Sequence, residues 1–134
     1  MFVLDKNAIK NVEFIGTMSK LHRELYRIII STPAYFRETR GGLLLKLADE
    51  ALYEVCMTNR RIPKTKKQAD KRAEYLAASM DTLNKMQVSM ISLFNIANID
   101  DKCKKYLSYL LTKEIKLLNG LKKSDEKLYG DLTW

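Results

Sequence analysis

The chain has 134 residues, with 24 Lys or Arg against 16 Asp or Glu and a formal net charge of +8 at pH 7. That length suits one domain and one core, in which roughly two-thirds of the unfolded surface can be buried. Five glycines and two prolines are too few turn formers for a many-stranded β fold. No apolar run approaches the ~20 residues of a membrane-spanning helix.

Residues 1–12 read as a short lead in which Asp5 or Asn7 could cap a helix. The opening Met1-Phe2-Val3-Leu4-Asp5 is too short for the apolar centre of a secretion signal, so the expected location is the cytoplasm. From Glu13, Phe14, Met18, Leu21, Leu25 and Ile28 recur at three- and four-residue spacing, which predicts a first helix. Ile29 and Ile30 widen its stripe, and Pro33 stops it.

A second helix is predicted to begin near Arg37–Arg40 and to run to about Asn59, with Leu44, Leu47, Ala48, Ala51, Leu52 and Val55 inward. Gly41-Gly42 weakens its start by about 1 kcal/mol per glycine relative to alanine, which implies a packing reason or a later start. A long third helix is expected from Lys66 to Ile96. Its stripe is Ala69, Ala73, Leu76, Met80, Leu83, Gln87, Met90 and Phe94, with Gln87 at the edge.

Asp100 or Asp101 then caps a fourth helix whose inner face is Leu107, Leu110, Leu111, Leu118 and Leu121. Gly120 falls near its end. From Lys122 the periodicity fades. Residues 1–123 are therefore read as one domain and 124–134 as a mobile tail, in which Leu128, Tyr129 and Trp134 could act as anchors. Four amphipathic helices with short connections bury their stripes best as an all-α, antiparallel up-down-up-down four-helix bundle.

Positive charge concentrates in two segments. Residues 60–72 hold Arg60, Arg61, Lys64, Lys66, Lys67, Lys71 and Arg72 against one acid, Asp70. The fourth helix adds Lys102, Lys104, Lys105, Lys113 and Lys116, followed by Lys122 and Lys123. Such density favours a polyanion, and a nucleic-acid backbone is the common one. A solvated, solubilising loop is the competing reading. No zinc finger, aromatic RNA-binding strand motif or G-x-x-G clamp is present, so sequence-independent contact is expected. Tyr106 and Tyr109 flank the lysines and could stack on bases, although tyrosine at a bundle rim or a subunit interface is the commoner role.

Chemistry is sparse. His22 is the only histidine and Cys56 and Cys103 the only cysteines. They form no Cys-x-x-Cys and no assignable nucleophilic set, so a structural histidine and free buried thiols are expected. The Glu-x-x-His pairs of di-iron bundles are missing, as are a P-loop and a dinucleotide turn. Glu50 and Glu54 stand one turn apart and read as a solvated pair. The expected protein is not an enzyme and has no metal or cofactor.

Three stretches carry a family likeness. They are Leu25-Tyr26 with Pro33 and Arg37-Glu38-Thr39-Arg40-Gly41-Gly42-Leu43, then Ala73 to Phe94, then Tyr106-Leu107-Ser108 through Glu114-Ile115 to Leu118-Asn119-Gly120-Leu121. Over roughly residues 13–123 the chain resembles the four-helix-bundle family of diversity-generating retroelement accessory variability proteins and of proteins encoded by intervening sequences in large ribosomal RNA genes. Family members often have a tryptophan after the final glycine, where this chain has Leu121-Lys122. The serine-to-asparagine signature of the ribosomal branch is also missing, which favours the retroelement branch.

The resemblance implies a basic homopentamer that binds a reverse transcriptase and template RNA, with cDNA a further ligand, and that supports mutagenic cDNA synthesis without being the polymerase. Carried to this chain by charge, the nucleic-acid contacts would be Arg60, Arg61, Lys64, Lys66, Lys67, Lys71 and Arg72, with Lys104, Lys105 and Lys116 secondary. The alternative is a non-catalytic protein-interaction module, with the charge serving solubility.

Overall fold

A computed structural model describes residues 12–60 and 62–132. Among them the chain is all-helical. Helix α1 spans Glu13–Ile30. A short helix α2, Ala34–Phe36, runs through a π-helical turn, Arg37–Gly41, into α3, Gly42–Thr58. Helix α4 is Lys66–Ile96 and α5 is Asp101–Tyr129. The four long helices form a bundle in which α1 packs on α3 and α5, and α4 packs on the same two.

The second predicted helix begins earlier than its periodicity suggests, at Ala34, immediately after Pro33. The Gly41-Gly42 pair has the packing reason that its cost demanded. A Cβ on Gly41 would lie 2.8 Å from Ile29 Cγ2, and one on Gly42 would lie 2.8 Å from the Arg37 carbonyl oxygen. The first glycine lets α1 approach closely. The second tolerates the extra residue of the π turn, a local defect that bends a helix.

Leu21, Leu25, Leu44, Ala48, Ala51, Val55, Leu83, Met86, Leu107 and Leu118 are buried at the centre. Each fully enclosed Leu or Met contributes about 1.5–3 kcal/mol by leaving water. On α4 the buried row is Leu76, Ser79, Leu83, Met86, Met90 and Leu93. The expected row is thus corrected by part of a turn. Ala73 and Gln87 are exposed, and Ala69, Met80 and Phe94 are half-buried. Both rows alternate three- and four-residue steps and share Leu76, Leu83 and Met90, so spacing alone does not separate them; the observed row turns the face towards Ser79, Met86 and Leu93.

The last two long helices start on side-chain caps, whereas α1 starts at Val12 with none. The Thr65 hydroxyl accepts the Gln68 N–H at 3.2 Å, and the Gln68 side-chain oxygen accepts the Lys64 N–H at 2.8 Å. This is close to the reciprocal capping box. Asp100, the nearer of the two acids, accepts the Cys103 N–H at 2.8 Å. That bond holds its carboxyl below the usual range. The last helix continues past the point where periodicity fades, and residues 124–129 are helical.

Polar contacts tie the helices together. His22 Nε2 lies 2.6 Å from Asp49 Oδ1, and the Tyr26 hydroxyl donates to the same carboxylate. Lys113 reaches Glu13 at 3.3 Å. Thr82 donates to Glu54 at 2.6 Å. Glu54 is therefore not a freely solvated partner of Glu50. It is half-buried, and desolvation raises its pKa. Cys56 is buried, whereas Cys103 is only half-buried and faces the Arg27 guanidinium.

Candidate nucleic-acid interface

The basic run at 60–72 surrounds the start of α4. Arg60, Lys64, Lys66, Lys67 and Lys71 are exposed. Arg61 lies outside the described residues. Lys71 is drawn towards Glu74, 3.4 Å away, and sits 5.4 Å from the centre of the Tyr75 ring. Both partners are solvated, so the pair holds the lysine weakly.

Arg72 differs from its neighbours. Its guanidinium donates to both oxygens of Asp125, at 2.6 and 3.2 Å, and to the Thr58 carbonyl at 2.9 Å. It also lies 5.8 Å from the centre of the Tyr129 ring. Both charged side chains are nearly buried, at 11% and 15% exposure. Arg72 thus ties the end of α3 and the last turns of α5 to α4, and its donors face inward. Its place among the expected phosphate contacts is the one that this geometry argues against. A bidentate arginine–carboxylate fork leaves little for an outside anion.

The secondary candidates lie together. Lys104, Lys105 and Lys116 line one groove of about 820 Å³ along α5, with Tyr109, Thr112 and Lys113 between them and Phe94 of α4 at the side. Lys105, Tyr109, Thr112 and Lys116 are four, three and four residues apart, so they share a helix face. Lys113 was not among the expected contacts. It joins the groove because its ammonium is positioned from two sides, by Glu13 and by the Tyr109 ring 6.0 Å away. These contacts keep it cationic, the Glu13 bond foremost. Glu13 is the one carboxylate paired to any groove lysine among the described residues. Tyr109 is 57% exposed, which leaves a face free to stack.

The two cationic regions are separated along the bundle. Arg72 and Asp125 fix the register of α4 against α5. Lys116 lies nine residues before Asp125, roughly 14 Å along the axis, and Lys104 roughly 30 Å. Lys122 is nearer the first region and lines a groove with Ala69 and Asp70. A strand of several nucleotides could follow the α5 groove, whereas the start of α4 offers a compact cluster of flexible lysines.

Glu114 lies on the inward side of the same helix. Its side chain is fully enclosed, and neither carboxyl oxygen has a hydrogen-bond partner. Desolvation pushes its pKa up to about 8. Its place between Leu111 and Leu118 follows from spacing, but a charged residue type hides it from a hydrophobic pattern. No group of three or more His, Cys, Asp or Glu side chains among the described residues could hold a metal. No described helix is long and apolar enough to cross a membrane. No family model, curated protein or solved structure matches the chain.

Proposed function

We propose that the protein is a non-catalytic, basic helical scaffold that holds a nucleic-acid backbone for a partner enzyme. One observation carries the reading. The α5 groove brings Lys104, Lys105, Lys113 and Lys116 around an exposed tyrosine, with a single paired carboxylate nearby. Phosphates would meet the ammonium groups, a base could stack on Tyr109, and no base edge would be read. The exposed Lys64, Lys66 and Lys67, with Arg60, would extend the footprint at the start of α4.

The up-down-up-down antiparallel arrangement belongs to this reading. It is supported by the ring of helix neighbours and by two pairings, Arg72 with Asp125 and Arg27 with Cys103, each joining one helix's end to the start of the next in the ring. The likeness to retroelement accessory proteins makes a reverse transcriptase and its template RNA the proposed partners. A homopentamer would repeat a weak groove five times and multiply its avidity.

The test is binding of a labelled 20-nucleotide RNA to three proteins: the wild type, a Lys104→Gln/Lys105→Gln/Lys116→Gln variant, and an Arg60→Gln/Arg61→Gln/Lys64→Gln/Lys66→Gln/Lys67→Gln variant. The groove variant should bind at least tenfold more weakly with unchanged helix content. Wild-type affinity in both variants would refute the role and leave a protein-only interaction module.

A further inference from the structure

Four of the chain's acids, Asp70, Asp81, Asp125 and Glu126, meet around one groove between α4 and α5. The exposed face of the first half of α4 carries Asp70, Glu74 and Asp81. Glu126 of α5 stands across the groove that this face forms with the neighbouring helix. The groove encloses about 470 Å³. Its floor is Ala69, Ala73, Ala77 and Met80, and Tyr129 lines it from α5. Ala73 and Ala77 are exposed, although alanine at four-residue intervals is what a close helix neighbour needs.

Two of the four acids around the floor are uncompensated among the described residues. Asp70 and Glu126 have no salt-bridge partner among the described residues. Asp81 meets only the exposed Lys85, at 3.4 Å. Asp125 is held by Arg72, and Lys122 is the one cation on the rim. A nucleic-acid backbone or an anionic lipid surface would be repelled here. A purely apolar partner would leave carboxylates facing a dry interface, at a cost.

We infer that this groove receives a basic amphipathic helix of a partner protein. Its small or aliphatic residues would lie along the Ala69–Ala73–Ala77 row, and its Lys or Arg residues would reach Asp70, Asp81 and Glu126. Ala69 to Asn84 is sixteen residues, roughly 22 Å along the axis, so the docked segment is about four turns long. This is the helix-in-groove mode of recognition, with Tyr129 and Met80 as the larger apolar contacts and carboxylates setting orientation. The surface is separate from the lysine groove, so one subunit could hold a strand and a protein at once.

The test uses a fluorescein-labelled 18-residue peptide with Leu and Ala on one helical stripe and Lys and Arg elsewhere, beside a scrambled peptide of identical composition. Each is titrated with the full chain at 150 mM salt and followed by anisotropy. The amphipathic peptide should bind at least tenfold more tightly than the scrambled one. Asp70→Lys/Asp81→Lys/Glu126→Lys should abolish that preference. Ala77→Gln, a neutral change at an exposed helical site, should weaken binding at least fivefold. Ala77→Gln should bind RNA as wild type does, which separates failure here from failure of the strand-binding role, and the triple lysine variant, six charges more positive, should bind RNA no more weakly than wild type. Equal binding of the two peptides, or an Ala77→Gln protein that binds as wild type, overturns the inference. So does a dimer in light scattering that Ala77→Gln dissolves, which would assign the groove to a second copy of the chain.

Discussion

Replacing Glu114 with Leu should stabilise the bundle, and by more as the pH rises. The carboxyl is wholly enclosed on the inner face of α5 and both oxygens lack partners. The adjacent cation, Lys113, points to Glu13 on α1 instead. Burial therefore favours the neutral acid, with a pKa of about 8 against the ordinary 4.5. Because the folded value is raised, the folded chain keeps its proton where the unfolded chain has lost it. Below pH ~4.5 the group imposes no ionisation cost. Between pH ~4.5 and ~8 the unfolded state gains by ionising, and stability falls by about 1.4 kcal/mol per pH unit. Above pH ~8 the loss levels off, at roughly 4–5 kcal/mol in total.

Urea unfolding followed by circular dichroism at pH 5, 7 and 8.5 reads this directly. The stability gap between Glu114→Leu and wild type should widen by about 3–4 kcal/mol from pH 5 to pH 8.5. Glu114→Gln should lose the same pH dependence yet remain less stable than the leucine variant, because its amide is still an unbonded buried polar group. A gap that does not change with pH, or a leucine variant that is less stable than wild type at pH 8.5, would refute the reasoning.

Other perturbations test separate joints of the structure. Arg72→Ala should cost roughly 3 kcal/mol, since it strands Asp125 in a nearly buried place and frees the Thr58 carbonyl. A double-mutant cycle with Asp125→Ala should recover part of that cost, and strict additivity would count against the pairing. Gly42→Ala should cost about 1–3 kcal/mol, because the new methyl meets the Arg37 carbonyl oxygen rather than a movable side chain. Thermal melts would register the loss, and an unchanged melting temperature would mean that the π turn is not held as described.

Much of the scaffold is legible in the residue order. The stripe of α1 is written in large apolar residues and that of α3 in leucines with small alanines between them, and their buried faces match the expected ones closely, apart from the exposed Ile30. The row on α4 is harder to read. Its alanines are exposed or half-buried and a serine and a threonine are buried, so apolar type does not mark the inner face, and a periodicity drawn through Ala73 and Gln87 is as regular as the true one. The helical stretch at residues 124–129 lacks a stripe, but Asp125 and Tyr129 hold it through Arg72, a contact 53 residues away that no local pattern contains. Charge clustering finds Lys104, Lys105 and Lys116. It does not separate outward-facing cations from Arg72, which lies in the densest basic run and faces inward. Lys113 could have been added from its spacing, one turn from Tyr109 and Lys116. Glu114 could not, because an acid within an apolar row reads as an interruption until its surroundings are known.

The most direct test of the central claim is the salt dependence of binding to a 20-nucleotide single-stranded RNA, measured for wild type and for Lys104→Gln/Lys105→Gln/Lys116→Gln. With about six phosphates neutralised, log affinity should fall against log salt with a slope near −4, and losing three lysines should flatten it by about 2. The same slope in both proteins, or a wild-type affinity indifferent to salt, would contradict a backbone-holding groove on α5.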